Sequence, residues 1–198
     1  MTRFVTGLVL AGGTSSRLGR PKQLLPYRGA TLLDATLDRA RACRFDQLIV
    51  ALGAAADEVR STVDLSGVDV VESDAPADGC SRSIAAALGA VDPRSAGLVL
   101  LLGDQPGVRP ETVAVLVAAA GDAPMGVVRY HDGRGHPLWL GADTFADLAG
   151  LHGDKGVWRL LESGGHEVVE VPGAGPVPLD VDTEADHEAL LAADRGPV

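Results

Sequence analysis

The chain has 198 residues, 46% of them apolar, 22% charged and 4% aromatic, and carries a net charge of −10. That length suffices for one domain with a sizeable core, spanning 1–198, and is marginal for two. The acidic balance argues against nucleic-acid or membrane-surface binding, both of which need basic patches. No basic-apolar-small leader opens the sequence, and no apolar run reaches the ~18–20 residues a spanning helix needs, so a cytoplasmic protein is expected. Cys43 and Cys80 form no CxxC pair and fit a reducing compartment without a disulfide.

In chain order, the apolar run 4–10 reads as a buried strand and leads into a glycine-rich segment. Residues 31–42 carry apolar side chains at helical spacing, 47–52 reads as a strand, 56–63 as a short helix and 68–72 as a third strand. A helix over 81–91 puts Ile84, Ala87, Leu88 and Val91 on one face. Residues 98–102 are continuously apolar, as in a central parallel strand covered on both sides. A helix over 110–120 begins with proline in its first turn. Segments 126–130 and 137–140 flank the turn-rich Asp132-Gly133-Arg134-Gly135 and pair as a hairpin or as neighbouring strands. Short helices over 142–149 and 156–163, a strand over 166–171 and a proline-rich loop over 172–178 follow. A terminal helix over 183–193, capped by Asp182 or Thr183, precedes a frayed end at 195–198. Repeated alternation of strand and helix predicts an α/β three-layer sandwich on a mostly parallel, Rossmann-like sheet with ligands beyond the strands' C-terminal ends.

Four segments carry chemistry. In the first, Leu10-Ala11-Gly12-Gly13-Thr14-Ser15 leads to Arg17, Arg20 and Lys22. Glycines let a ligand approach backbone N–H groups, consecutive amides in one concavity bind anions, and fixed cations add charge, so the segment suits a polyphosphate. It matches neither G-x-x-x-x-G-K-[ST] nor G-x-G-x-x-G. In the second, Asp104 of Gly103-Asp104-Gln105-Pro106 follows the most apolar strand, where a carboxylate can ligate Mg²⁺ or simply end the strand in a turn. In the third, Gly79, Ser81 and Ser83 stand at a helix start, which can hold a ribose or phosphate, or only a serine cap. The fourth is Asp180-Val181-Asp182-Thr183: strand alternation would put both carboxylates on one face, with Asp182 either a metal ligand or a helix cap. Trp139 and Trp158 read as packing residues.

The pattern L-A-G-G-x-S-x-R-x-G-x-P-K-x-L-L resembles the signature loop of nucleotidyltransferases that activate sugars and cofactors, and within them the MobA-like group. Gly103-Asp104-Gln105-Pro106, Gly79-Cys80-Ser81-Arg82-Ser83, Gly135-His136-Pro137 and Gly153-Asp154-Lys155-Gly156 extend the resemblance over nearly the whole chain, with Cys80 where Met is usual and Ser73 where Asn is frequent. The resemblance implies the nucleotide-diphospho-sugar transferase type of fold and transfer of a nucleotidyl group. Leu10, Ala11, Gly12 and Gly13 would face base and ribose, Gly12 to Ser15 the phosphates, and Arg17 and Lys22 the reacting centre. Asp104 would hold Mg²⁺, with Asp182 as a second candidate ligand, and His136 and Lys155 would border the acceptor. The implied acceptor is a molybdopterin, and a dinucleotide product implies delivery to molybdoenzymes or their chaperones. Gly-Asp-Gln-Pro and Gly-His-Pro look like the cytidylyltransferases, Ala-Gly-Gly like the guanylyltransferases; CTP is favoured over GTP. A nucleotide-dependent oxidoreductase and a non-catalytic cofactor-binding protein are the competing readings.

Overall fold

The structure is a computed structural model that describes residues 3–13, 15, 17–73, 79–153 and 155–194. Thr14, the 195–198 end and Asp154 therefore lie outside the described residues. Seven strands form one sheet in the order β5-β4-β1-β6-β8-β7-β9: β1 Thr6–Ala11, β4 Gln47–Leu52, β5 Asp69–Glu72, β6 Gly97–Leu102, β7 Met125–Arg129, β8 Arg134–Gly141 and β9 Val168–Pro172. All pairings are parallel except those of β8, which runs against both β6 and β7. The expected hairpin is therefore β7–β8, and it inserts one reversed strand into an otherwise parallel sheet.

Strand alternation divides the core into two layers. Val9, Val50, Leu52, Val99 and Leu101 point to the face covered by α1 Leu32–Ala42, α2 Ala56–Thr62 and α4 Pro110–Ala120. Leu8, Leu10, Ile49, Leu98 and Leu100 point to the other face, under α3 Cys80–Leu88, α5 Phe145–Ala149 and α6 Gly156–Glu162. Burial on both sides is why these strands read as unbroken apolar runs. Trp139 is fully buried on β8, its ring where a side chain at Gly97 would stand, and its indole N–H donates to the Ala123 carbonyl at 3.0 Å. Trp139 is thus a core residue, as expected.

Several boundaries differ from the sequence reading for local reasons. α1 begins at Leu32 because Thr31 and Asp34 form a reciprocal capping box. α3 stops at Leu88 with Gly89 as its cap residue. The helix expected over 142–149 splits into a 3₁₀ turn, Ala142–Thr144, and α5. The small hairpin of β2 Pro26–Tyr27 and β3 Ala30–Thr31 is unforeseen; its turn puts Arg28 and Gly29 at φ 50° and 83°, the doubly left-handed geometry usually marked by Asn-Gly or Asp-Gly. The last helix, α7 Glu184–Asp194, packs on this hairpin through Val181, Leu190, Leu25, Tyr27 and Leu32.

Candidate active site

A cavity of about 550 Å³ opens beyond the C-terminal ends of β1 and β6. It is lined by Leu10 to Gly13, Ser15, Arg17, Lys22, Gly79, Ser83, Asp104, His136 and Asp182 among others, so most of the residues singled out in the sequence converge there. Lys155 is exposed and stands outside the lining. Ser81 is buried, and its hydroxyl donates to the Gly153 carbonyl rather than facing the cavity.

The glycine loop follows from its neighbours. Ser15 adopts φ 51°, and its hydroxyl accepts the Lys22 N–H at 2.9 Å, so this side chain closes the loop on itself. Lys22 starts a 3₁₀ turn, Lys22–Leu24, behind Pro21. Gln23, which the sequence pattern leaves as an arbitrary position, is buried and donates through Nε2 to the Ala11 carbonyl at 2.6 Å and the Gly13 carbonyl at 3.3 Å. Its regularity is invisible in sequence because the contact spans a loop rather than a helix turn. Gly12 runs close under α3: a Cβ there would stand 2.6 Å from the Ser83 hydroxyl, which would have to turn away. Gly79, at φ 88°, opens α3 with no side-chain cap and lines the cavity, which leaves the helix start facing it.

Asp104 is set by backbone contacts. The Gly103 N–H donates to the Leu10 carbonyl at 2.8 Å, and the Gly103 carbonyl accepts the Thr36 hydroxyl at 3.0 Å. Across the cavity mouth, Lys22 Nζ lies 2.5 Å from an Asp104 carboxylate oxygen and 2.9 Å from one of Asp182. Arg17 reaches Asp182 at 3.6 Å from the rim. Burial of the ammonium works to lower the Lys22 pKa, but the charges of Asp104 and Asp182 outweigh it and raise the value above the usual lysine range.

Residues 180–182 form no strand, yet Asp180 and Asp182 both line the cavity. Capping of α7 falls to Thr183, whose hydroxyl accepts the Asp186 N–H while the Asp186 carboxylate accepts the Thr183 N–H. That arrangement leaves the Asp182 carboxylate free for Lys22 and Arg17. Gln105 donates to the Asp180 carboxylate and to the Pro178 carbonyl. Partial withdrawal of the Asp180 carboxyl from solvent, and then the Asp104 charge, raise its pKa.

The donor set fits a divalent cation. Two carboxylates, Asp104 and Asp182, share one largely buried ammonium, and Asp180 also lines the cavity, an accumulation of negative charge that a divalent cation would relieve. Among the described residues no three side chains of metal-ligating type are grouped as a closed site. Mg²⁺ takes one or two carboxylates and fills its remaining positions with phosphate oxygens and water, so Asp104 and Asp182 suffice.

The opposite wall is neutral. His136 is buried and sits edge-on to Trp158, ring centroids 5.7 Å apart, and burial pushes its imidazole pKa down to about 4. The β7–β8 register shifts between Val127 and Val128, opposite His136 and Pro137, and such a bulge re-aims a side chain. Trp158, read from sequence as packing, stands with Val157, Leu100 and Leu102 on this wall. Cys43 is a free thiol, and no helix among the described residues is long and apolar enough to cross a membrane.

Several known proteins share this sequence pattern and fold. A nicotine blue oxidoreductase of Paenarthrobacter nicotinovorans is 32% identical over 79% of this chain and 81% of its own. The crystal structure of Rv0371c from Mycobacterium tuberculosis H37Rv is 50% identical, with a TM-score of 0.91 over 97% of this chain and 100% of its own; the same protein has been crystallised with manganese. A nucleotidyl transferase from Methanothermobacter is 25% identical, with a TM-score of 0.78 over 97% of this chain and 98% of its own. The pattern of the MobA-like NTP transferase domain matches residues 7–168, and the chain belongs to that family of nucleotidyltransferases.

Proposed function

We propose that this protein transfers a nucleoside monophosphate from an NTP, CTP in preference to GTP, to the phosphate of a molybdopterin-type acceptor. An acceptor phosphate oxygen bonds to the α-phosphorus, the bond from that phosphorus to its bridging oxygen breaks, and pyrophosphate leaves with the electron pair. The acceptor phosphate is already ionised at neutral pH, so the chain need supply no general base. Its work is positioning and charge neutralisation. Leu10 to Gly13 hold base and ribose by backbone contacts, the loop amides and Lys22 take the triphosphate, and Arg17 covers the rim. Asp104 and Asp182 are the residues that would hold Mg²⁺, which supplies charge neutralisation of the phosphates when bound. The neutral wall of His136 and Trp158 suits a flat, uncharged ring and supports a pterin rather than a sugar. We place the reaction in the cytoplasm, with the product passing to molybdoenzymes or their chaperones.

The observation that carries this reading is the direct contact of Lys22, from the glycine loop, with Asp104 at the tip of β6, 82 positions away in sequence. Mg²⁺-dependent pyrophosphate release from each of the four NTPs, with and without molybdopterin, tests it. Release from CTP that requires the acceptor is the expected result; no release from any NTP would remove the proposal. The 32% identity to a nicotine blue oxidoreductase favours a second reading, a nicotinamide-dependent reduction. Steady NADH oxidation with a quinone-like acceptor, in place of pyrophosphate release, would establish that instead.

A further inference from the structure

The Asp104 and Asp182 carboxylates converge on one cation, and that cation belongs to the protein. Each presents an oxygen to Lys22 Nζ, at 2.5 and 2.9 Å. The side chains of Lys22 and Asp104 are only 18% and 9% exposed, whereas Asp182 is 53% exposed, so one side of the pair is open to solvent. An ammonium and a metal ion cannot occupy this place together. Both would claim the same carboxylate oxygens, and their charges repel at that range. A divalent ion neutralises the two carboxylates more fully than a single positive charge does. The lysine also has somewhere to go. Its stem lies over Gly13, where even a Cβ would stand 3.7 Å from Lys22 Cε, so the missing side chain leaves the stem room to swing toward the loop amides. A lysine is a compact charge on a flexible four-carbon stem and can make such a move without the loop changing shape.

We propose that Lys22 and a divalent cation are exchangeable occupants of the Asp104–Asp182 pair. In the metal-free protein the ammonium holds the two carboxylates together. A divalent cation takes them over and releases Lys22 toward the phosphate-binding loop, so the cation that meets the triphosphate is delivered only once the metal is in place. This rests on the nucleotidyl-transfer reading and adds an order of events to it.

The sequence offers a clean probe, because Lys22 and Lys155 are its only lysines. Peptide-resolved amine acetylation of the nucleotide-free protein reports both, with exposed Lys155 as internal control. In chelator, Lys22 should label much more slowly than Lys155. Saturating Mn²⁺, with occupancy read by electron paramagnetic resonance, should speed Lys22 severalfold and leave Lys155 unchanged. Lys22→Met, which keeps the stem and removes the charge, should bind Mn²⁺ about tenfold more tightly than the wild type. Asp182→Asn should speed Lys22 labelling without metal. Unchanged Lys22 labelling at full Mn²⁺ occupancy, no tightening in Lys22→Met, or no Mn²⁺ binding by either protein would each overturn the exchange. Pyrophosphate release by a wild-type enzyme that shows no exchange would overturn this inference alone. Exchange without release from any NTP would support it and remove nucleotidyl transfer.

Discussion

At the scale of single residues, the site depends on charges that are small in number and close together. Lys22→Ala and Asp104→Ala should each lower pyrophosphate release by orders of magnitude while leaving the circular dichroism spectrum near wild type, with a lowered unfolding midpoint because each leaves a largely buried charge without its partner. Gln23 acts differently, through the loop it ties. Gln23→Ala removes the donor shared by the Ala11 and Gly13 carbonyls and should raise KM for the NTP more than it lowers kcat. Gln23→Glu should be no better, because a carboxylate oxygen would face those carbonyls; steady-state kinetics on the pair checks this. His136 gives a pH signature. Its folded pKa of about 4 lies below the ordinary 6.5, so the unfolded chain takes up the proton first. Its contribution to stability is therefore complete above pH 6.5 and drains away as the pH falls toward 4, amounting to about 2 kcal/mol by pH 5. Urea unfolding from pH 7 to 5 should show that slope in the wild type and a flatter one in His136→Gln.

At the scale of elements, the sequence revealed what periodicity and burial control. β1, β4 and β6 are fully or nearly fully buried, so their apolar runs announced them, and the glycine loop and Asp104 were legible because each directly follows such a strand. What stayed hidden depends on contacts between distant segments. The exception is the cap of α7, where a local signal was present: Asp186 three residues on makes Thr183 rather than Asp182 the capping residue. Nothing near position 23 marks its two loop carbonyls, and the Arg28–Gly29 turn lacks the residues that usually signal one. Ser81 illustrates the converse: its motif neighbours face the cavity, but its hydroxyl ties α3 to the loop before α6. The junction of β1 with α3 yields a further test. Gly12→Ala would press its Cβ to 2.6 Å from the Ser83 hydroxyl and should weaken NTP binding; adding Ser83→Ala removes that oxygen and should restore part of the affinity. Calorimetric titration of the two single variants and the double variant measures the coupling.

At the scale of the whole molecule, the C-terminal segment is fastened to the glycine loop and the small hairpin. Arg20 pairs with Glu184 at 2.8 Å, Arg28 with Asp194, and the His187 ring meets the Pro26 carbonyl at 2.8 Å. The ion pairs are exposed and screened by solvent, so the apolar contact must hold α7. Leu190→Ala should cost about 2–4 kcal/mol and weaken NTP binding by loosening Asp182, whereas Glu184→Gln should scarcely move the unfolding midpoint; denaturant titration of both separates the contributions. The reversed strand β8 has a separate consequence. An ordinary parallel sheet offers a ligand only the places where strands exit, each continuing into a crossover helix that constrains it. Because β8 runs backwards between β6 and β7, it brings a strand entrance to the same rim, fed by a short turn rather than a helix. Residues around His136 can thus vary without disturbing the exits that carry Gly12 and Asp104. On the function proposed above, the side of the cavity meant for the acceptor could therefore be reshaped without moving the loop that takes the NTP.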